Sequence, residues 1–188
     1  MVRIFCEGSD DKTFLRLLLN DLKKSDDIIG FDNFDSVVKV MGGKSNLLDK
    51  ESYSTIDKQV GKQLTKILFI FDCDFKEDDK VCGGFKNSKK AIESLISALD
   101  WKIEVDYYIF NKNLDYFIID TLDNKKNFEG CEECFELKEL NKNRKILTCI
   151  YKSLYPKKPF DFSHQNFNEL KQKLKNLFKD EKWQYYQP

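Results

Sequence analysis

Two short stretches decide the fold, Ile4–Asp11 (IFCEGSDD) and Ile67–Asp74 (ILFIFDCD), about sixty residues apart. In each, an apolar run typical of a fully buried strand ends abruptly in carboxylates, and the first continues into a segment with helical spacing. Two such strands side by side would bring Glu7, Asp72 and Asp74 to one edge of a sheet. Hard divalent cations such as Mg²⁺ prefer clustered oxygen ligands, and like charges so close are costly unless a cation or a proton offsets them. The sequence therefore predicts an acidic metal site.

The rest of the chain alternates strand-like and helix-like segments, which favours a mostly parallel sheet with right-handed crossovers. Four strands are predicted, at 2–6, 37–41, 67–71 and 103–110. Helices are predicted from Ser9 to about Lys24, from Ser45 to Leu64, and from Ser88 to about Leu99, with Ser9, Ser45 and Ser88 as their caps. We therefore expect the α/β class, with a mostly parallel four-stranded sheet flanked by helices.

A chain of 188 residues is long enough for one domain with a sizeable core. We expect an α/β domain over 1–122 and a helical C-terminal extension over 123–188 that packs on the same domain. Within the extension, a helix is predicted around Ile146–Leu154. A second begins near His164, where apolar residues recur at helical spacing and lysines form the solvated face.

The order and spacing of these motifs resemble the Toprim domain, the metal-binding module of topoisomerases, primases and OLD-family nucleases. Glu7 and Gly8 match its first motif, and Asp72 and Asp74 match its Asp-x-Asp motif. The resemblance covers roughly the first 120 residues and is greatest to small stand-alone Toprim-like proteins related to OLD nucleases. It implies a Rossmann-like fold, Mg²⁺ or Mn²⁺ bound by Glu7, Asp72 and Asp74, and cleavage of nucleic acid with these residues as the catalytic set.

Three further residues have two interpretations each. Asp11 matches an acid of the Toprim pattern, but it also suits the first turn of a helix, where negative charge is favoured. Asp115 takes the place of a metal-binding glutamate in the OLD relatives, or is a helix-start acid. Lys44, after Gly42 and Gly43, could contact a phosphate, or it is a surface lysine at a tight turn.

Composition limits the partners of this chain. Lys and Arg number 32 and Asp and Glu also number 32, so the net charge gives no support for a nucleic-acid-binding protein. We expect weak affinity for DNA or RNA alone, and a protein partner such as a separate ATPase that supplies targeting. No apolar run approaches the ~20 residues of a membrane span. We expect a cytoplasmic protein, and the abundance of Lys, Asn, Ile and Phe is typical of AT-rich bacterial genomes.

Six cysteines are expected to be reduced in the cytoplasm. Cys131 and Cys134 have the spacing of half a zinc site, but the only histidine, His164, has no neighbour at ligand spacing. Two ordinary thiols in a loop are therefore the preferred interpretation.

Two classes of function remain for the acidic edge. The first is metal-dependent phosphodiester chemistry, in which Asp72 and Asp74 hold the ion and Glu7 orients or deprotonates the nucleophile. The second is a module that binds metal and nucleic acid or protein without turnover, which the balanced charge favours. Haloacid-dehalogenase phosphatases and response-regulator receivers fit less well, because their acidic motifs lie on other strands.

Overall fold

The computed structural model describes residues 1–28, 31, 33–74, 82–121 and 162–179, apart from the side chains of residues 115 and 119. Its sheet consists of β1 (Val2–Cys6), β2 (Val38–Val40), β3 (Lys66–Asp72) and β4 (Glu104–Phe110). The strand order is β2-β1-β3-β4 and every pair is parallel. Each strand lies within one residue of its predicted limits at both ends. The predicted α/β class, with a parallel four-stranded Rossmann-like sheet flanked by helices, is confirmed.

The described residues form six α-helices and two 3-10 turns. The helices are α1 (Ser9–Lys24), α2 (Phe34–Val37), α3 (Lys44–Leu47), α4 (Phe85–Leu99), α5 (Leu114–Ile119) and α6 (Asn168–Phe178), and the 3-10 turns are Lys50–Tyr53 and Gln165–Phe167. Within this described part of the chain, every helix is too short or too polar to cross a membrane.

The chain divides into two compact units. One is Met1–Asn113 together with Glu169–Pro188, which contains the sheet and all but the first residue of α6. The other is Leu114–Asn168, in which the rings of Phe117 and Phe167 meet edge to face at 5.3 Å. The predicted boundary after residue 122 falls among residues 122–161, outside the described residues, and stays a prediction. The predicted helix at Ile146–Leu154 and the pair Cys131 and Cys134 lie there too.

One face of the sheet carries an aromatic core. The rings of Phe5 and Phe69 are stacked at 5.5 Å, and Tyr53 meets both edge to face at 5.2 and 5.7 Å. The cluster of buried residues on this face comprises Phe5, Leu47, Tyr53, Ile56, Leu64, Ile67, Phe69, Phe71, Cys73, Ile92, Leu95 and Ile109. Alternate residues of β3 therefore face this core, and those between them face the other side.

The other face of β3 is also covered, which is why this strand is apolar throughout. Helix α1 buries five apolar side chains (Phe14, Leu15, Leu18, Leu19, Leu22), and α6 buries four (Leu170, Leu174, Leu177, Phe178). The ring of Phe14 meets that of Phe110 at the end of β4 edge to face, 5.9 Å away. The predicted C-terminal helix thus contributes to the core of the sheet unit.

The lysines of α6 do more than form a solvated face. Lys173 and Lys175 reach acids of the sheet unit, with Nζ 2.7 Å from Asp106 Oδ2 and 2.7 Å from Asp27 Oδ1. Much of the weak C-terminal basicity is therefore neutralised within the protein.

The long helix predicted from Ser45 to Leu64 is wrong. Helix α3 ends at Leu47, and the Asp49 side chain then accepts a hydrogen bond from the Glu51 amide and starts a 3-10 turn. Gly61 adopts a φ of 74°, which a helix does not accommodate. The apolar residues that suggested a helix are buried by successive turns instead.

The three predicted caps, Ser9, Ser45 and Ser88, are also misplaced. Gly8, Gly43 and Gly84 precede α1, α3 and α4. Ser9 is therefore the first residue of α1, Ser45 is the second residue of α3, and Ser88 is the fully buried fourth residue of α4. Serine was favoured because its hydroxyl can accept from a helix amide, but the hydroxyl of Ser88 is used elsewhere, as described next.

Candidate functional site at the carboxyl edge of the sheet

The acidic motifs lie at the carboxyl edge of two neighbouring strands. Strands β1 and β3 pair in parallel with Cys6 opposite Ile70, so Glu7 follows β1 at the edge where Asp72 ends β3. The strand order also reverses here, since β2 lies outside β1 and β4 lies outside β3. In open α/β sheets this topological switch point is the usual place for a ligand.

Glu7 is fixed by the turn that follows β2. Its backbone carbonyl accepts hydrogen bonds from the amides of Gly42 and Gly43, at 3.1 and 3.0 Å. Both glycines have positive φ, 80° and 132°, so this turn requires residues without a Cβ. The side chain of Glu7 is half-buried and its Oε2 is shielded from solvent. The backbone of Glu7 is therefore held at the edge of the sheet, beside the turn that follows β2.

Asp72 and Asp74 leave β3 in different ways. Asp72 is still in the strand, and alternation puts it on the face of Leu68 and Ile70. Asp74 has a φ of 56°, a left-handed conformation that aspartate tolerates better than most residues, and its amide donates to the Lys112 carbonyl at 2.7 Å. The chain therefore turns sharply at Asp74 while staying beside the end of β4.

Lys44 is buried against the end of β3. Only 8% of the residue is exposed, and its Nζ donates to the Cys73 carbonyl at 2.9 Å, the Asp74 carboxylate at 3.2 Å and the Cys82 carbonyl at 3.5 Å. The interpretation as a surface lysine is therefore wrong, because α3 starts at Lys44 and directs the side chain inward. A buried ammonium needs such acceptors, since an unpaired charge in this position would be very costly. Its predicted role as a phosphate ligand stays a prediction.

Ser88 joins the start of α4 to the same point. Its hydroxyl lies 2.8 Å from the Cys82 carbonyl and 3.2 Å from the Cys73 carbonyl, and the Gly84 amide donates to the Cys73 carbonyl at 3.0 Å. Lys44, Ser88 and Gly84 thus converge on one carbonyl oxygen. Sequence reasoning treated Ser88 as a cap and missed this role, because no local pattern reports a partner fifteen residues away.

Asp11 lies in the first turn of α1, in agreement with its interpretation as a helix-start acid. Its Oδ2 accepts the Gly8 amide at 2.7 Å, and the residue is only 5% exposed. The thiol of Cys6 lies nearby, and burial, followed by the charge of Asp11, raises its pKa to about 12. The hydrogen bond from the Gly8 amide to Asp11 therefore stabilises the turn between β1 and α1.

The acidic residues at the carboxyl edge of the sheet are of the type that binds hard cations. Glu7, Asp72 and Asp74 offer carboxylate oxygens alone, the ligands that Mg²⁺ and Mn²⁺ prefer. Among the residues that the structure describes, no three His, Cys, Asp or Glu side chains stand together as a metal-binding group. Mg²⁺ often keeps several waters and uses only one or two carboxylates, so such an ion does not require a third. Asp115 is the second residue of α5, in the other compact unit, and its side chain is outside the described residues.

Comparison of the chain with protein-family models, with curated proteins and with solved structures finds no match. The likeness to the Toprim domain therefore rests on the residues of this chain, and it stays a prediction.

Proposed function

We propose that this protein is a divalent-metal-dependent enzyme that cleaves phosphodiester bonds in nucleic acid, DNA or RNA. The observation that supports this most is the position of Glu7 and Asp72 at the carboxyl ends of neighbouring parallel strands, at the switch point of the sheet. Like charges at the ends of neighbouring strands repel, and a bound cation would offset that repulsion.

Each residue has a distinct role in the proposal. Asp72 and Asp74 supply oxygen ligands for Mg²⁺ or Mn²⁺. With Glu7 they form three acids, and the one base, Lys44, brings the formal charge of the four residues to −2. The ion, when bound, activates water and neutralises charge on the phosphate. Glu7, held by the turn after β2, orients the attacking water or accepts its proton. A separate protein, such as an ATPase, supplies targeting.

Cleavage assays on plasmid, single-stranded DNA and RNA with Mg²⁺ or Mn²⁺ test the proposal. Glu7→Gln should abolish turnover but weaken metal binding less than Asp72→Asn does, because a base is less essential than a ligand for holding the ion. Asp10→Asn, an exposed neighbour in α1, is the matched control and should cleave as the wild type does. Equal cleavage by all three variants would identify a contaminating nuclease and refute the proposal.

The Lys44–Asp74 ion pair favours a second function, a module that binds metal and nucleic acid or protein without turnover. One of the three acids already has a cation beside it, at 3.2 Å, and the net charge of the chain is zero. In that case Mg²⁺ should raise the melting temperature of the wild type but not of Asp72→Asn, and no polymer should be cleaved.

A further inference from the structure

The start of α4 exposes an aromatic ring and three lysines beside the acidic edge. Phe85 is 49% exposed, and in the described part of the chain only Met1 is another large hydrophobic residue so exposed. Lys86, Lys89 and Lys90 are exposed as well. We propose that these four residues, named here the α4 surface, bind single-stranded nucleic acid. The inference rests on the proposed function and adds the form of its substrate.

Helical spacing gathers the four side chains on one side of α4. Phe85 and Lys89 are four residues apart, as are Lys86 and Lys90, so they form two adjacent rows. Among the buried residues of the helix, Ser88 and Ile92 come three and seven residues after Phe85, so Phe85 borders the buried face, and Lys86 and Lys90 lie farther from it. Phe85 is the first residue of α4 and is nevertheless 49% exposed, so part of it is available to a base.

The charge of the α4 surface is little compensated within the described residues. The first turn of α4 has no acid. Among the described residues, one ion pair involves these lysines, between Lys89 Nζ and Glu93 Oε1 at 3.9 Å, a long contact with both side chains half exposed. By contrast, Lys173 and Lys175 of α6 are each paired with an acid at 2.7 Å. The zero net charge of the chain thus conceals a local positive surface, of the kind that contacts phosphates.

The backbone places this surface next to the acidic edge. The Gly84 amide, immediately before Phe85, donates hydrogen bonds to the carbonyls of Cys73 and Asp74, at 3.0 and 3.2 Å. A strand whose base stacks on Phe85 would therefore have neighbouring phosphates close to Asp74. Stacking of this type needs a base that is free of its partner, whereas a duplex keeps its base faces covered. The ring and the lysines together favour a single strand over a duplex.

Binding of fluorescent oligonucleotides of about 12 nucleotides, the span of a typical single-strand site, tests the inference. Anisotropy is measured in EDTA, so that cleavage cannot contribute, with single-stranded DNA, single-stranded RNA and duplex DNA over a salt series. Phe85→Ala should weaken single-strand binding about 5- to 150-fold, and Phe85→Trp should retain it. Lys86→Gln with Lys90→Gln should reduce the slope of log affinity against log salt by about 1.4. Exposed Lys58→Gln with Lys62→Gln, which precede β3, is the matched control and should change neither.

The outcomes separate this inference from the proposed function. Single-strand binding that Phe85→Ala weakens supports the inference even if the wild type cleaves nothing with any metal. If Phe85→Ala and the double lysine variant cleave nucleic acid and bind single strands as well as the wild type does, the inference is overturned and the proposed function stands. Equal or stronger binding to duplex, or no binding to any oligonucleotide, also overturns it.

Discussion

Lys44 donates from a buried ammonium to the carboxylate of Asp74, with Nζ 3.2 Å from Oδ2. The same Nζ lies 2.9 Å from the Cys73 carbonyl, so one side chain holds both the backbone and an acid at the end of β3. The candidate site therefore contains a cation of its own. Two predictions follow from this arrangement, one on stability and one on metal binding.

Lys44→Met should lower the free energy of unfolding by about 1–3 kcal/mol, because buried carbonyl acceptors and the acid lose their donor. The expected loss of stability is modest because the Asp74 side chain is 35% exposed, so water screens its ion pair with Lys44. Urea denaturation measures the change. Lys58→Met, at an exposed position, is the control and should stay within about 0.5 kcal/mol of the wild type. Equal stability of the two variants would contradict a structural role for Lys44.

Lys44→Met should also bind Mg²⁺ more tightly, by about 5-fold, since the ammonium competes with the ion for Asp74 and repels it by roughly 1 kcal/mol. Isothermal titration of Mg²⁺ into the folded variant and the wild type measures this. Asp72→Asn in the same background should remove the binding again. Unchanged affinity in Lys44→Met would mean that Asp74 is not a ligand.

Asp11→Ala should cost about 1–2 kcal/mol of stability, because the Gly8 amide would lose its acceptor at the start of α1. The adjacent Asp10 is exposed, so Asp10→Ala is a close control with the same change of charge and should cost less than about 0.5 kcal/mol. Thermal denaturation of both variants gives the comparison. If Asp11→Ala instead left stability intact and abolished Mg²⁺ binding, the role of Asp11 would be that of a metal ligand.

The contact between Lys173 and Asp106 should contribute a small coupling energy to the docking of α6. Both carboxylate oxygens lie within 2.8 Å of Nζ, but the acid is 48% exposed, so we expect about 0.2–1 kcal/mol. A double-mutant cycle with Lys173→Met and Asp106→Asn measures it. The coupling should shrink in 1 M salt, and a value that salt leaves unchanged would argue against an ion pair.

Stability should fall as the pH rises above about 9. Burial raises the pKa of Cys6 to about 12 from its usual 9.0, so in this range the folded protein keeps a proton that the unfolded chain releases. The unfolded state then binds fewer protons, and the free energy of unfolding decreases with pH until the folded thiol also ionises. Urea denaturation between pH 8 and 11 measures the slope. Cys6→Ala should show a shallower decline, and an identical slope would assign the effect to other groups.

The strands could be predicted because a strand that is buried on both faces is apolar throughout. The run 67–71 contains no charged residue, which is typical of a central parallel strand. Helix α1 was predicted to its last residue because its apolar spacing and its first-turn acids agree. The segment from Ser45 to Leu64 misled because apolar residues at helical spacing can also be buried by turns, and Asp49 and Gly61 interrupt the helix.

The site could be predicted in outline but not in its contacts. Glu7 and Asp72 are visible because an acid after an apolar run is a local signal. The burial of Lys44 is not, since its acceptors Cys73 and Cys82 lie 29 and 38 residues away in the chain. The α4 surface was missed because a zero net charge hides a local group of lysines at the start of α4, whose first turn carries no acid.

The central position of β1 has a consequence for synthesis on the ribosome. This strand leaves the ribosome before the other strands of the sheet, and its partner β3 follows it by about 64 residues, the separation of Cys6 from Ile70. At a synthesis rate of about 5–20 residues per second, β3 is made roughly 3–13 s after β1. Until then the nascent chain can pair β1 only with the short strand β2. The acidic edge is therefore completed late, which limits any premature binding of ions to a half-formed site.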